Sequence, residues 1–349
     1  MNFEIIKIDN RRVINFSKKW VQVKQPVNAK KAAQNLQEKE LVKNLANDPL
    51  LKLLCLVFEE TCDIPSNRSR VYEEGLEILL KKWDDKRQIE GDQIYKTLSL
   101  QRKQDLLSKI AFKTFEGGEY FLKRDLEQHI VDYICNLPNA QTHPEVLELE
   151  SEAVLKSIET QHGLLVELSE GIYCFSELKF HQYLTAREIV KSPSPQTLEK
   201  ALKKLVSHIT EPGWREVFLL VVEMLQDVDY LLRLMKHQTD AIVASDEELQ
   251  QFLLWLNRQS NSNKTAYRPS TFRAFYLEFI LNTHRFEDNP AWSDPKAHEL
   301  QNFPFSTQQK AVLKEYYNAN KLVLDCLNSA CYVTRSLRTE IKEALLVPS

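Results

Sequence analysis

Glycine is scarce, with 7 residues in a chain of 349. Glycine supplies left-handed turns and close backbone approach, so its scarcity argues against glycine-rich phosphate loops and hairpin-rich all-β folds. Long apolar runs are missing too. The strongest, Leu50 to Phe58 and Val217 to Leu225, are interrupted by Lys52 and Glu223 and are too short to span a bilayer. No C-x-x-C pair occurs among Cys55, Cys62, Cys135, Cys174, Cys326 and Cys331. Most of these lie in apolar runs, as buried free thiols do. With no signal-peptide-like start, a reducing cytoplasm is the expected compartment. An excess of one charge is also lacking: the formal net charge is −3. Neither nucleic acid nor a membrane is therefore expected as a partner.

The residues of phosphoryl-transfer chemistry do not assemble. No G-x-x-x-x-G-K-[ST] occurs, and no glycine lies close enough to a Lys-Ser or Lys-Thr to form a degraded one. Such a loop cradles the β- and γ-phosphates. No apolar strand ends in paired acidic residues, and Asp84-Asp85 sits at the polar end of a helix, where a solvated face explains it. The histidines show no metal-ligand spacing. His181, beside Phe180 and Tyr183, reads as a packed or surface histidine without a catalytic partner. Lys81-Lys82 and Lys203-Lys204 read as solvated faces. The expectation is no catalytic residue, no metal site, no cofactor of the chain's own and no enzyme.

What is present is helical periodicity. Phe3 to Ile8 alternates like a short strand without a neighbouring partner, so its sheet is expected to lie outside the chain. Helices are predicted over 10–23 and 30–46, then from Leu50, with Pro49 at the start, and along Val71, Gly75, Leu76, Leu79, Leu80 and Trp83. From Ser99 the order changes. Leu106 to Phe115 forms a helix ending at Gly117-Gly118, Tyr120 to Leu122 is extended, and Asp125 opens another helix. A third helix is predicted over 152–161. Leu165 to Leu168 and Ile172 to Phe175 flank Ser169-Glu170-Gly171 as a hairpin, and a closing helix carries Phe180, Tyr183, Leu184 and Ile189. Three helices, a hairpin and a closing helix make a winged helix. Ser192 to Pro195 reads as a linker. Beyond it the helical spacing resumes, with Trp214, Phe218, Phe252, Trp255, Phe275 and Tyr276 as core candidates. Ser306 and Gln309 form a capping-box pair. The fold class expected is mainly α: a helical domain, a winged-helix domain with a small β-hairpin, and a C-terminal helical domain.

Three stretches together resemble one family. Asn47 to Cys55 resembles the proline-containing helix start that follows the nucleotide-binding domain of NACHT ATPases. Pro65 to Ser69, with Tyr72 to Leu76 and Lys82 to Asp84, is similar to the next helix in bacterial NACHT proteins. Phe175 to Glu188 resembles the signature closing their winged helix, and their order and spacing also fit. Gly213 to Phe218, Arg273 to Tyr276 and Asp325 to Ser329 are similar to the C-terminal helical domain of cyanobacterial-type members. The resemblance implies the C-terminal part of a STAND, NLR-like signalling ATPase without its phosphate-binding core. It assigns 1–98 to the end of the core and a helical domain, 99–191 to the winged helix and 196–349 to the C-terminal helical domain.

In that family a nucleotide sits between the core and these domains and sets the closed or open state. The resemblance places Pro49 near the adenine, although a proline starting a helix needs no ligand. It places Glu177 where the family carries a histidine facing the phosphate. An ionised carboxylate donates no hydrogen bond and repels phosphate, so nucleotide sensing is expected to be lost here unless Lys179 substitutes. The function implied is a non-catalytic regulatory or recognition portion of a defence or signalling protein, truncated or split from its ATPase. Its partners would be proteins, either a trigger or a NACHT core. The alternatives are a subunit that completes a separate core in trans, and a winged-helix DNA-binding regulator. The missing basic recognition helix argues against the last.

Overall fold

A computed structural model describes residues 50–61, 63, 65–86, 98–138, 143–262, 268–281, 303–329 and 331–348. The strand predicted near the start, the helices over 10–23 and 30–46, Pro49, and most of the loop preceding Phe303 lie outside them. The chain divides into two units, Met1–Lys191 and Ser192–Ser349.

In the first unit, Leu50–Thr61 forms helix α1 and Arg68–Lys86 forms α2. Leu50, Leu54, Val57 and Phe58 are buried, and so are Val71, Leu76 and Leu80 at helical spacing on α2. The two helices pass closest at Gly75, where an added Cβ would stand 2.2 Å from Leu53 Cγ. Alanine ordinarily strengthens a helix relative to glycine by about 1 kcal/mol. Here the clash outweighs that gain, because Leu53 Cγ, Cδ1 and Cδ2 would stand 2.2–2.8 Å from the added carbon and the whole buried side chain would have to shift. Gly75→Ala is expected to destabilise the protein by about 1–3 kcal/mol, read as a lower urea midpoint at unchanged slope.

The winged helix follows. Ser99 caps α3, Leu100–Phe115, its hydroxyl accepting from the Arg102 N–H. Strand β1, Phe121–Leu122, leads into α4, Lys123–Ile134. Helix α5, Pro144–Ser157, starts earlier than the predicted 152–161 and continues through a π turn, Ile158–His162. Pro144 suits the first helical turn. Val146 and Leu149 are exposed, which blurs the apolar stripe in the first two turns. Gly163, at φ +58, ends the run in the left-handed region.

Strands β2, Leu165–Ser169, and β3, Ile172–Phe175, form the predicted hairpin. Gly171 takes φ +72 in its turn, and the Glu167 carboxylate accepts from the Gly171 N–H at 2.8 Å. The sheet is antiparallel in the order β1-β3-β2, with Leu122 opposite Ile172 and Phe121 opposite Tyr173. Helix α6, Leu178–Val190, closes the domain and packs along α3.

In the second unit the expected linker is shorter than predicted. The Ser194 hydroxyl accepts from the Thr197 N–H while the Thr197 hydroxyl accepts from the Ser194 N–H, so Pro195 already belongs to α7, Pro195–Ser207. Next come a 3₁₀ turn at Pro212–Trp214, α8 (Arg215–Met224), α9 (Asp229–Ala241), α10 (Glu247–Ser262) and α11 (Pro269–Leu281). Helices α12, Thr307–Asn328, and α13, Arg335–Ala344, complete it. The predicted Ser306–Gln309 capping box is formed at α12. Phe252, Leu256, Tyr276, Leu313 and Tyr316 share one core, with Phe303 and Phe305 edge-on to Phe252. Phe275 departs from the expectation: it is 47 % exposed. Trp255 is only partly buried against that core.

Candidate functional site

The structure brings the start of α1 and the start of α6 together. Leu50, Leu53 and Leu56 of α1, Tyr72 and Leu79 of α2, and Glu177, Lys179 and Phe180 line one groove of about 190 Å³. Tyr72 ties the groove to α6, stacking on Tyr183 at 5.1 Å and meeting Phe180 edge-on at 6.1 Å. Glu177 is the N-cap of α6, with extended backbone and no hydrogen bond from its side chain to the helix. Its carboxylate is exposed at the groove's edge, where the positive end of the helix dipole favours it. Pro49, the other predicted residue, precedes Leu50 and lies outside the described residues.

Two features define what this groove can do. Ligand pockets run from roughly 300 to 1,000 Å³, so the groove by itself has room for a ring or an apolar side chain. Its polar edge combines one acidic side chain, Glu177, and one basic one, Lys179. That pairing has no evident use as a phosphate cradle.

Behind Glu177 the helix buries four polar side chains, His181, Gln182, Thr185 and Arg187, of which His181 and Arg187 reach α3. His181 is 2 % exposed, stacked on Phe175 at 4.6 Å and edge-on to Phe115 at 4.9 Å. Its Nε2 lies 3.0 Å from the Ala111 carbonyl and 3.0 Å from the Thr114 hydroxyl. The carbonyl can only accept, so Nε2 carries the proton of a neutral ring. His181 is thus a packed histidine, as expected, holding α6 to α3.

Burial pushes the His181 pKa down to about 4 from the ordinary 6.5. Above 6.5 the ring is neutral both folded and unfolded. Below it the unfolded chain takes up a proton that the folded one refuses, so stability falls until about pH 4. The slope approaches about 1.4 kcal/mol per pH unit, and the total loss is about 3 kcal/mol. Melting temperatures from pH 7 to 4 are expected to fall more steeply for the native chain than for His181→Phe, which keeps an uncharged ring. Parallel curves would contradict this.

Arg187, on the same helix, is buried; its Nη2 donates to Asp105 at 2.8 Å and its Nη1 to the Ser108 hydroxyl at 2.9 Å. Both partners lie on α3.

In the second unit a cavity of about 800 Å³ borders Asn257, Arg268, Thr271, Arg273, Asn328 and Lys342. Arg273 is 1 % exposed. It donates from Nε to the Leu345 carbonyl, from Nη2 to the Glu343 carbonyl, and from Nη1 to Asn257 Oδ1 and the Ser260 hydroxyl, at 2.7–3.1 Å. Asn320 Oδ1 accepts from the Leu346 N–H at 3.0 Å, and Lys236 Nζ donates to the Val347 carbonyl at 2.9 Å. Three helices thereby fasten one stretch of tail, which includes Leu346 at φ +60. The polar groups here serve structure first.

Among the described residues no group of histidine, cysteine and carboxylate side chains could hold a metal ion. No described helix is long and apolar enough to cross a membrane. The described cysteines are free, but only Cys55 and Cys326 are buried. Cys135 is exposed, and Cys174 and Cys331 are intermediate, so the apolar runs around them overstate their burial.

Comparison with protein families matches two stretches. Residues 68–189 match the winged helix-turn-helix domain C-terminal to NACHT. This span takes in α2 together with the elements from α3 to α6. Residues 295–348 match the NACHT C-terminal helical domain 2, which includes α12 and α13. No curated protein matches the chain. Both matched domains stand C-terminal to NACHT, in the order the fold presents them, and the chain is therefore a C-terminal part of a NACHT protein.

Proposed function

We propose that this chain is the non-catalytic regulatory and recognition portion of a NACHT-type, STAND-class signal-transduction or defence protein, acting in the cytoplasm on protein partners. The observation that carries this reading is the pairing of a NACHT winged helix with NACHT helical domain 2 in a sequence holding no G-x-x-x-x-G-K-[ST] loop. Glu177 supports it further: an exposed carboxylate stands at the groove edge, where a nucleotide-sensing member would need a hydrogen-bond donor. Nucleotide control would then reside in a NACHT core, and this portion would couple that core to what is sensed.

The second reading, a subunit completing a separate NACHT core in trans, is favoured by one feature. The α1–α6 groove is open and mostly apolar, with Leu50, Leu53 and Leu56 along one wall. Mixing the purified chain with an isolated NACHT ATPase core and following ATP turnover separates the two. Unchanged turnover is expected from a portion that regulates only in cis. Turnover that rises with added chain and saturates would establish the trans subunit.

A further inference from the structure

The wing's sheet has two different faces. Phe121, Leu165, Tyr173 and Phe175 turn inward and are buried, with Phe121 and Phe175 against the His181 ring. A strand alternates sides at every residue, so their neighbours turn outward. Outward positions of a wing that meets only water are normally polar. Here they include Leu122 at 48 % exposure and Ile172 at 38 %, beside the half-buried Val166 and Cys174. Leu168 at 56 % lies in the irregular step between Glu167 and Ser169, and Tyr120 at 62 % stands just before β1. Leu122 and Ile172 are direct cross-strand partners, so these two side chains form one apolar strip, and Leu168 follows on the strand that pairs with Ile172 through Ser169.

Charge frames this patch on one side of zero. Residues 116–122 and 163–176, which build the strands and their turns, contain Glu116, Glu119, Glu167 and Glu170 and no lysine or arginine. All four are exposed. Glu167 pairs with the inward Tyr173 and accepts from the Gly171 N–H, so Glu119 beside Tyr120 and Glu170 in the turn before Ile172 are the two next to the apolar strip. Burial, and after it the charge of Glu119, raise the pKa of the Cys174 thiol on β3. The nearest cations are committed elsewhere. Lys123 Nζ donates to Glu152 at 2.8 Å and pairs with Glu127 at 3.4 Å, and Arg124 lies beside Asp125.

We infer that the outward face of the wing is a docking surface for a protein segment that presents apolar side chains flanked by lysine or arginine. Apolar side chains at Leu122, Ile172 and Leu168 supply the buried centre, and the glutamates select a basic rim. The same charges disfavour the other occupants. A duplex would bring phosphates against the carboxylates of Glu119 and Glu170. A second copy placed face to face would oppose glutamates with glutamates.

The test uses the full chain with two short synthetic peptides, one alternating leucine with lysine and one alternating leucine with glutamate. Binding is followed by fluorescence anisotropy at physiological salt. Two variants accompany it, Leu122→Ser with Ile172→Ser, and Glu119→Lys with Glu170→Lys. All four substitutions are at exposed positions, and unchanged melting curves verify the fold. The lysine peptide is expected to bind the native chain, to bind each variant about tenfold more weakly, and to outcompete the glutamate peptide. Equal binding of both peptides, or affinity untouched by either variant, overturns the inference. So does duplex DNA binding that the wing variants abolish, or self-association of the native chain that Leu122→Ser removes.

Discussion

Arg273→Met is expected to lower the stability of the second unit by about 3–5 kcal/mol, and to free the tail before the rest unfolds. Arginine has five N–H donors, and Arg273 uses four of them on two main-chain carbonyls, one amide and one hydroxyl. None of those acceptors is a carboxylate. The guanidinium is buried as a cation among neutral dipoles, and that burial pushes its pKa below the ordinary arginine value. Methionine fills similar space but donates nothing, so the carbonyls of Glu343 and Leu345 lose their buried partner. Each such orphan costs about 1–3 kcal/mol. The check is hydrogen exchange. Amides of 343–347 should exchange much faster in Arg273→Met, with Arg273→Lys intermediate because one ammonium cannot span all four acceptors. Uniform exchange rates in variant and native protein would refute the clamp.

The second large effect belongs to the winged helix. Arg187→Met should cost about 2–4 kcal/mol. Arg187 is buried, but Asp105 keeps 31 % side-chain exposure, so water offsets part of the penalty for the stranded carboxylate. Its removal also takes a donor from the Ser108 hydroxyl, which itself donates to the Gln104 carbonyl at 2.7 Å. Pairing Arg187→Met with Asp105→Leu should recover part of the loss, because the double variant strands no charge. Urea unfolding of the two single variants and the double variant measures the coupling. Strict additivity would mean that the Arg187–Asp105 pair contributes no coupling between α3 and α6.

These two arginines mark where the sequence stops being legible. Asp105 and Arg187 are 82 residues apart, and Arg273 reaches a carbonyl 72 residues away. No local period links such pairs. The hairpin at Ser169-Glu170-Gly171 and the Ser306–Gln309 capping box were legible because each depends on neighbours within a few residues. The Ser194–Thr197 box was read as part of a linker, since threonine replaces the usual glutamate or glutamine and two prolines flank it. Phe275 was misplaced because α11 is apolar on more than one side, which leaves the phase of its buried face undefined.

The candidate site was legible in a different way. Glu177 stood out only through the motif it interrupts. That Leu50 and Leu53 share a groove with it is a tertiary fact, created by α2 packing between α1 and α6. His181, beside Phe180 and Tyr183, was legible only as a packed or surface histidine, and its burial at 2 % exposure decides for packing. The rings that enclose it are Phe175, Phe115 and Phe121, which come from three other segments.

The proposed function requires that this portion of a NACHT protein bind no nucleotide by itself. Its most direct test is isothermal titration of the purified chain with ATP and with ADP in the presence of magnesium. A phosphate loop and metal carboxylates supply most of the positioning in this chemistry, and an apolar groove edged by Glu177 and Lys179 replaces neither. The account predicts no heat beyond dilution with either nucleotide. Micromolar affinity that disappears when magnesium is chelated would contradict it.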